Sequence, residues 1–389
     1  MLPGITAVIP AHAPRLADGS LHRAVESVLT QELPVAAIAI AIDGLGEGAA
    51  ATRQRALDMA RTEWVAFCDS DDIWYPNHTR VLAGLADTND ADYMYSWWDG
   101  NVIGDWERTH RGRQMNPAEA HHTTMTVMVR TALAQQVGFR NHPEATPAWS
   151  AEDWLFTLHC LKRGAVFAGT GEVTWHYGVD GRNTSGLPTR WRPDRAQTGV
   201  TVVVPHIPPR RAELLRALDS ICAQTLLPSA VSIAVDLDRE GSATTRSRAL
   251  AAASTPFAAF LDDDDAFEIN HLAEVVPVAE ATGADVVYSG CTVVGPHGEI
   301  IPDREEWGRF GLPFAADLLR QRSWLPVTSL VRTDLAQQVG GFIYPPGSVF
   351  DDWGFYLRML DAGARFVHHP VKSWVWHHHG ANTSGQPPA

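Results

Sequence analysis

Lysine is almost missing from this chain of 389 residues: Lys162 and Lys372 are its only two, so arginine supplies nearly all of the 31 basic side chains. An anion held by this protein therefore meets planar guanidinium forks rather than ammonium groups. Cysteine is scarce as well. Cys68, Cys160, Cys222 and Cys291 lie far apart, without the spacing of a metal knuckle, and Cys68 falls in an apolar run. Reduced thiols in a cytoplasmic protein are the expectation. No apolar run approaches the ~20 residues that span a bilayer. The N-terminus lacks a basic segment leading into an apolar one, so secretion is not expected either. Net positive charge is also absent. The formal charge is −14, with 45 acidic residues, which argues against nonspecific binding to nucleic acid or to an anionic membrane surface. The 45% hydrophobic and 20% charged fractions are those of a globular protein.

What the chain does have, it has twice. Phe67-Cys68-Asp69-Ser70-Asp71-Asp72 returns about halfway along as Phe260-Leu261-Asp262-Asp263-Asp264-Asp265. Thr6-Ala7-Val8-Ile9-Pro10 returns as Thr201-Val202-Val203-Val204-Pro205, and Ser27-Val28-Leu29-Thr30-Gln31 as Ser220-Ile221-Cys222-Ala223-Gln224. Thr52-Arg53-Gln54-Arg55-Ala56-Leu57 matches Thr245-Arg246-Ser247-Arg248-Ala249-Leu250. Leu133-Ala134-Gln135-Gln136-Val137-Gly138 matches Leu335-Ala336-Gln337-Gln338-Val339-Gly340. Glu152-Asp153-Trp154 answers Asp351-Asp352-Trp353, and each half closes on Asn-Thr-Ser-Gly, at 183–186 and 382–385. A repeat of this length is a whole domain rather than a solenoid unit. Two tandem domains are expected, at 1–190 and 198–389. The linker is placed in the stretch from Leu187-Pro188 to Thr198-Gly199, rich in proline, arginine and polar residues, and Pro387-Pro388-Ala389 reads as a frayed tail.

Within one half the hydrophobic rhythm alternates. Ile5 to Pro10 reads as a buried strand, Leu21 to Leu29 as an amphipathic helix, and Val35 to Ile42 as a second strand. Ala49 to Ala60 is helical and Trp64 to Cys68 is a third strand. The second half repeats this over Val200–Val204, Leu214–Cys222, Val231–Val235, Ala243–Ala252 and Phe257–Leu261. The order predicts an α/β fold: right-handed crossovers and, in each half, a mostly parallel sheet flanked by helices. Ligands in such sheets bind beyond the carboxyl ends of the strands. Asp43 and Asp236 end strand two there, and Asp69, Asp71, Asp262 and Asp264 end strand three. That many carboxylates on one rim repel one another unless a cation or a hydrogen-bonding ligand lies between them.

This ordered set resembles the inverting glycosyltransferases of family 2, which have the GT-A fold. It comprises strand-Pro, Ser-x-x-x-Gln, an Asp after strand two, an Arg before the next helix, Phe-x-Asp-x-Asp-Asp and a late acidic pair. The resemblance covers each half once and implies two GT-A-like nucleotide-diphospho-sugar transferase domains. It implies that Asp43 and Asp236 bind the nucleotide base, usually uracil, and that Arg53 and Arg246 lie near the donor diphosphate. Asp69 and Asp262 match the carboxylate near the ribose, and Asp71 and Asp264 the one on Mn²⁺ or Mg²⁺. Asp153 and Asp352 match the general base. His176, and in the second half His377 or its neighbours His378 and His379, match a late histidine on the metal or diphosphate. The chain departs from the family after strand two, where Ile42-Asp43-Gly44-Leu45 and Val235-Asp236-Leu237-Asp238 stand in place of an Asp-Asp-Gly-Ser-type turn. It departs again after strand one, where Ala11-His12 and His206-Ile207 stand in place of Tyr-Asn.

The implied chemistry suits these residues. Cleaving a sugar–phosphate bond leaves charge on a diphosphate, which a hard cation on carboxylate oxygens stabilises. A base behind an acceptor hydroxyl contributes about 10²–10⁴-fold. Simpler roles compete. Asp72 and Asp265 read as caps of the following helix, and Asp153 and Asp352 suit a helix N-terminus by charge alone. Trp149, Trp154, Trp175, Trp324, Trp353, Trp374 and Trp376 read mainly as core, with one or two per domain left to stack on an acceptor sugar. The expected activity is transfer from a UDP-sugar-like donor to a glycan, protein or other hydroxyl acceptor, by both domains or by one with the other supporting it. The alternatives are a non-catalytic carbohydrate- or nucleotide-binding protein and a nucleotidyltransferase. The last is disfavoured because Pro10-Ala11-His12-Ala13-Pro14-Arg15 and Pro205-His206-Ile207-Pro208-Pro209-Arg210 lack a Gly-rich phosphate loop.

Overall fold

The computed structural model describes residues 2–100, 125–141, 151–178, 195–302, 311–344 and 350–379. Both Asn-Thr-Ser-Gly quartets, Trp149, residues 187–194 of the expected linker and the tail at 387–389 lie outside the described residues. The chain divides into two units, Met1–Asp194 and Arg195–Ala389. Thr198 and Gly199, expected in the linker, instead lie inside a strand that starts at Ala196.

In the first unit, β1 (Leu2–His12) lies between β2 (Ala37–Asp43) and β3 (Thr62–Phe67), parallel to both. β3 then meets β6 (Val127–Arg130), which runs antiparallel between β3 and β5 (Tyr93–Gly100). β7 (Phe167–Tyr177) is parallel to β5, and the two-residue β4 (Ile73–Trp74) closes the edge antiparallel to β7. The order is β2-β1-β3-β6-β5-β7-β4. The second unit gives the same order, β9-β8-β10-β14-β12-β15-β11. Its strands are β8 (Ala196–His206), β9 (Leu226–Val235), β10 (Phe257–Phe260), β11 (Ala266–Phe267), β12 (Val286–Val294), β14 (Ser329–Arg332) and β15 (Phe366–His377), with β13 (Ile300–Ile301) added beside β12. Each sheet is thus mostly parallel, as expected, with one reversed strand in its middle.

The strands are apolar because both faces are covered: Ile38 to Ile42 is buried without a break. Helix Ser20–Leu29 turns Leu21, Ala24, Val25 and Val28 inward, on the expected face. Two of the repeated motifs turn out to be joinery. Gln31 Nε2 donates to the carbonyls of Ser27 and Tyr75, and its Oε1 accepts the Thr79 amide at 3.0 Å. Gln224 makes the same bonds to Ser220, Glu268 and Leu272. Gln135 donates to the carbonyls of Leu57 and Ala60, and Gln337 to those of Leu250 and Ala253. Gln31 and Gln224 thereby tie the last turn of one helix to the loop before the next, and Gln135 and Gln337 tie their helix to the end of a neighbouring one.

An aromatic trio fixes the part of each unit that matters most for the site. Phe67, the last residue of β3, meets Phe139 and Phe156 edge-on at 5.4 and 5.9 Å, while Phe139 and Phe156 stack at 4.4 Å. Phe260 meets Phe342 and Phe355 at 4.9 and 5.8 Å, and those two stack at 4.3 Å. Phe156 belongs to helix Glu152–Lys162 and Phe355 to helix Asp351–Asp361. The strand that ends in the aspartate cluster is thereby clamped to the helix that begins with the late acidic pair.

Candidate active site

Each site is built at the carboxyl ends of the parallel strands. β2 ends on Asp43, whose Oδ1 accepts the amides of Gly46 and Glu47 at 2.7 and 2.9 Å and whose Oδ2 accepts that of Gly48 at 2.8 Å. Asp236 accepts the amides of Glu240 and Gly241 at 2.8 and 3.0 Å. Both carboxylates are buried and hold the turn that starts the next helix, so this structural work stands beside the base-binding role that the resemblance implies.

That helix, Ala49–Asp58 in the first unit and Ser242–Ala252 in the second, carries a buried arginine within it rather than before it. Arg53 Nη2 donates to both oxygens of Asp69, at 2.7 and 2.8 Å, and Nη1 pairs with Glu152. Arg246 Nη2 donates to Asp262 at 2.7 Å, and Nη1 pairs with Asp351. Burial disfavours these guanidinium charges, but the flanking carboxylates more than compensate and keep both arginines protonated. Each arginine thus bridges two motifs, tying the first aspartate of Asp-x-Asp to the first member of the late acidic pair. Arg246 also lies over the Phe342 ring, 4.9 Å from its centre, so the charge bridge and the aromatic trio form one assembly.

The second aspartate of each motif meets an arginine that the sequence motifs did not single out. Arg15 Nη2 donates to Asp71 Oδ2 at 2.6 Å, and Arg210 Nη1 lies 2.7 Å from Asp264 Oδ2. Both arginines follow a proline in the segment after the first strand of their unit, a signal visible in the repeat itself. Each also has a second carboxylate, Asp18 for Arg15 at 3.4 Å and Asp263 for Arg210 at 3.3 Å.

Asp72 and Asp265 are not helix caps. The following helices start at His78 and His271, after Asn77 and Asn270. Asp72 instead accepts the Thr126 hydroxyl at 3.0 Å and the Gly178 amide at 3.1 Å, and Asp265 accepts the His377 amide at 3.0 Å. Burial, then the neighbouring aspartates, push both carboxyls well above the usual carboxylate range. In the second unit Asp262, Asp264 and Asp265 each present an oxygen within 4.8 Å of the others. Three hard oxygen donors at that spacing fit a divalent cation such as Mg²⁺ or Mn²⁺. Among the described residues it is the second unit, not the first, that assembles such a trio.

The late histidines divide differently from the expectation. His176 lies opposite Ile73, while the corresponding strand pair of the second unit places Val375 opposite Ala266. Because Gly178 and His377 each give an amide to the last aspartate of their cluster, His377 answers Gly178, and His176 has no histidine counterpart. The His176 ring lies 2.9 Å from Asp99, which also accepts the Tyr75 hydroxyl at 2.7 Å. His379 Nε2 is 3.2 Å from Asp264 Oδ2, and the His377 side chain hydrogen-bonds the Asp264 backbone.

Asp153 and Asp352 each open the first turn of a helix, and each accepts the amide of the next residue, Trp154 or Trp353, at 2.7 Å. Ala151, which precedes the first of these helices, adopts a left-handed φ of 45°, a strained conformation of the kind that gathers at functional sites. Burial, then the adjacent Asp351 charge, raise the Asp352 carboxyl to about 7. Trp175, Trp324 and Trp374 are buried core, whereas Trp154, Trp353 and Trp376 keep partial exposure.

A mostly parallel α/β sheet built twice, each copy with its acidic residues at the strand ends, defines two GT-A-like domains. The sequence profile of glycosyl transferase family 2 matches residues 45–149 and 232–331. That is more than half of the chain, and the chain belongs to this family. Solved structures similar to it include S. aureus TarS residues 1–349 in complex with UDP-GlcNAc, 16% identical over 57% of this chain and 66% of that one, with a TM-score of 0.38. TarS 1–349 without ligand is 15% identical over 64% and 70%, and longer TarS 15% identical over 64% and 42%, both with a TM-score of 0.37. The match thus spans just under two thirds of the first of these chains. No curated protein matches this sequence. No helix of the described residues is long and apolar enough to cross a membrane.

Proposed function

We propose that this protein is a metal-dependent, inverting glycosyltransferase that moves a sugar from a nucleotide-diphosphate donor, a UDP-sugar by family resemblance, to an acceptor hydroxyl of a glycan, a protein or another molecule. The observation that carries the reading is the arginine bridge. In both units it draws the Asp-x-Asp carboxylate and the late acidic pair to one guanidinium, which supports a base opposite a cation-binding rim. Asp262, Asp264 and Asp265 would hold Mn²⁺ or Mg²⁺, which supplies charge stabilisation to a departing diphosphate. Asp43 and Asp236 would receive the nucleotide base, with Asp69 and Asp262 toward the ribose. Asp352, and Asp153 in the first unit, would accept the proton of the acceptor hydroxyl as its oxygen attacks the anomeric carbon from the face opposite the leaving group. A carboxyl that titrates near 7 is a stronger base than an ordinary aspartate and is still largely ionised just above neutrality.

The second unit is the better-equipped catalyst, because its three carboxylates converge and its Asp352 is already poised. Asp71, Asp153 and His176 in the first unit fit either a second transfer site or a supporting domain. The test is to incubate the protein with a panel of nucleotide sugars and Mn²⁺, following release of nucleoside diphosphate and the anomeric configuration of the product. Release from one donor with inverted configuration is expected. Absence of both turnover and nucleotide binding across the panel would favour a non-catalytic binding protein.

A further inference from the structure

The pairing of Arg15 with Asp71 and of Arg210 with Asp264 is not accounted for by the roles above. Two arginines from equivalent segments, one per unit, place a positive charge on the carboxylate expected to carry the metal. Arg15 is buried, with a side chain 1% exposed, so the charge is not an incidental surface pair. Each is also tethered by a second carboxylate from a different place in its unit, Asp18 in one and Asp263 in the other. The two units thus reach the same arrangement through different residues, as a functional constraint on the guanidinium would require.

We infer that Arg15 and Arg210 are positioning residues that couple metal binding to nucleotide binding, acting as an internal cation on Asp71 and Asp264 that yields to the metal only when a diphosphate arrives. Rested on the function proposed above, the inference follows from charge. A divalent cation alone must share, or take over, a carboxylate that already holds a guanidinium on one oxygen, which sets positive charges side by side. A nucleoside diphosphate brings negative charge for that guanidinium. The arginine stays tethered through Asp18 or Asp263, and the donors freed from Asp71 or Asp264 suit phosphate oxygens, which a planar fork binds in pairs. Metal and diphosphate therefore enter as a nearly neutral pair, and each should strengthen binding of the other by the same factor.

The experiment is equilibrium Mn²⁺ binding by calorimetry and by the free-Mn²⁺ electron paramagnetic resonance signal, with and without UDP, on the full chain. Wild type is compared with Arg210→Met, Arg15→Met and Arg210→Lys, each checked for a native thermal transition. In wild type, UDP should tighten Mn²⁺ binding at least tenfold. Arg210→Met should bind Mn²⁺ alone about tenfold more tightly, bind UDP more weakly, and lose most of the coupling. Arg210→Lys, which restores a charge but not the fork, should fall between. Arg15→Met should change any first-unit binding in the same sense. Unchanged or weaker Mn²⁺ binding by folded Arg210→Met, or coupling undiminished from wild type in it, would overturn the inference while leaving the proposed function standing. A wild type that binds neither Mn²⁺ nor UDP would defeat both.

Discussion

Asp352 shows how a single side chain can serve chemistry at the expense of stability. Its carboxyl titrates at about 7 because burial and Asp351 disfavour the charge. A carboxyl whose folded pKa lies above its unfolded value contributes stability below about pH 4, and that contribution is lost as pH rises through 7. Asp352→Asn should therefore be more stable than wild type at pH 8 by on the order of 3 kcal/mol, and little different at pH 4. Denaturant titrations at the two pH values test this. The same variant should lose second-unit turnover by about 10²–10⁴-fold, and wild-type kcat/KM should rise with pH through about 7. A flat profile from pH 5.5 to 8.5 would remove Asp352 as the base.

At the scale of elements, the helix that begins with the late acidic pair is held in place by rings and by charge. Phe260 is fully buried against Phe342 and Phe355. Phe260→Ala should cost about 3–5 kcal/mol, seen as a lower unfolding midpoint, and should depress turnover in the folded fraction because the helix carrying Asp352 loses its seat. Undiminished kcat in that variant would show that the clamp does not position the base. The sequence made these strands and helices legible because their apolar periodicity is strong, and Asp69, Asp71, Asp262 and Asp264 landed on the rim because strand three runs straight into them. The reversed strands β6 and β14 were not legible: four residues each, they carry no period long enough to separate strand from loop. The second-unit counterpart of His176 was not legible for a different reason. Its place depends on a strand register, and a one- or two-residue offset in register changes which side chain reaches the rim. Asp265 was misread because a carboxylate shortly before a helix resembles a cap until the strand whose amide it binds is in place. His78 and His271 occupy equivalent places and went unremarked. Each stacks on Trp74 or Phe267 and meets a hydroxyl from the strand beneath, and burial lowers both to about 3, the mark of neutral structural histidines.

Across the whole molecule, one plan is written twice, with differences at the rim. Both units keep the arginine bridge, the aromatic trio, the glutamine clamps and the buried aspartate at the end of strand two. They differ at the rim, where Ser70 stands against Asp263, Gly178 against His377, and the carboxylate trio forms in the second unit among the described residues. Duplication with retained framework and diverged rim is what is expected when two sites take different tasks, or when one keeps the chemistry and the other supports it.

The most direct test is donor turnover by Asp71→Ala, Asp264→Ala and the double variant, in the presence of Mn²⁺ and the nucleotide sugar that wild type consumes. The account predicts that Asp264→Ala alone lowers turnover by about 100-fold or more and that the double variant has none above background. Wild-type turnover in the double variant would show that neither rim binds the cation on which the mechanism depends.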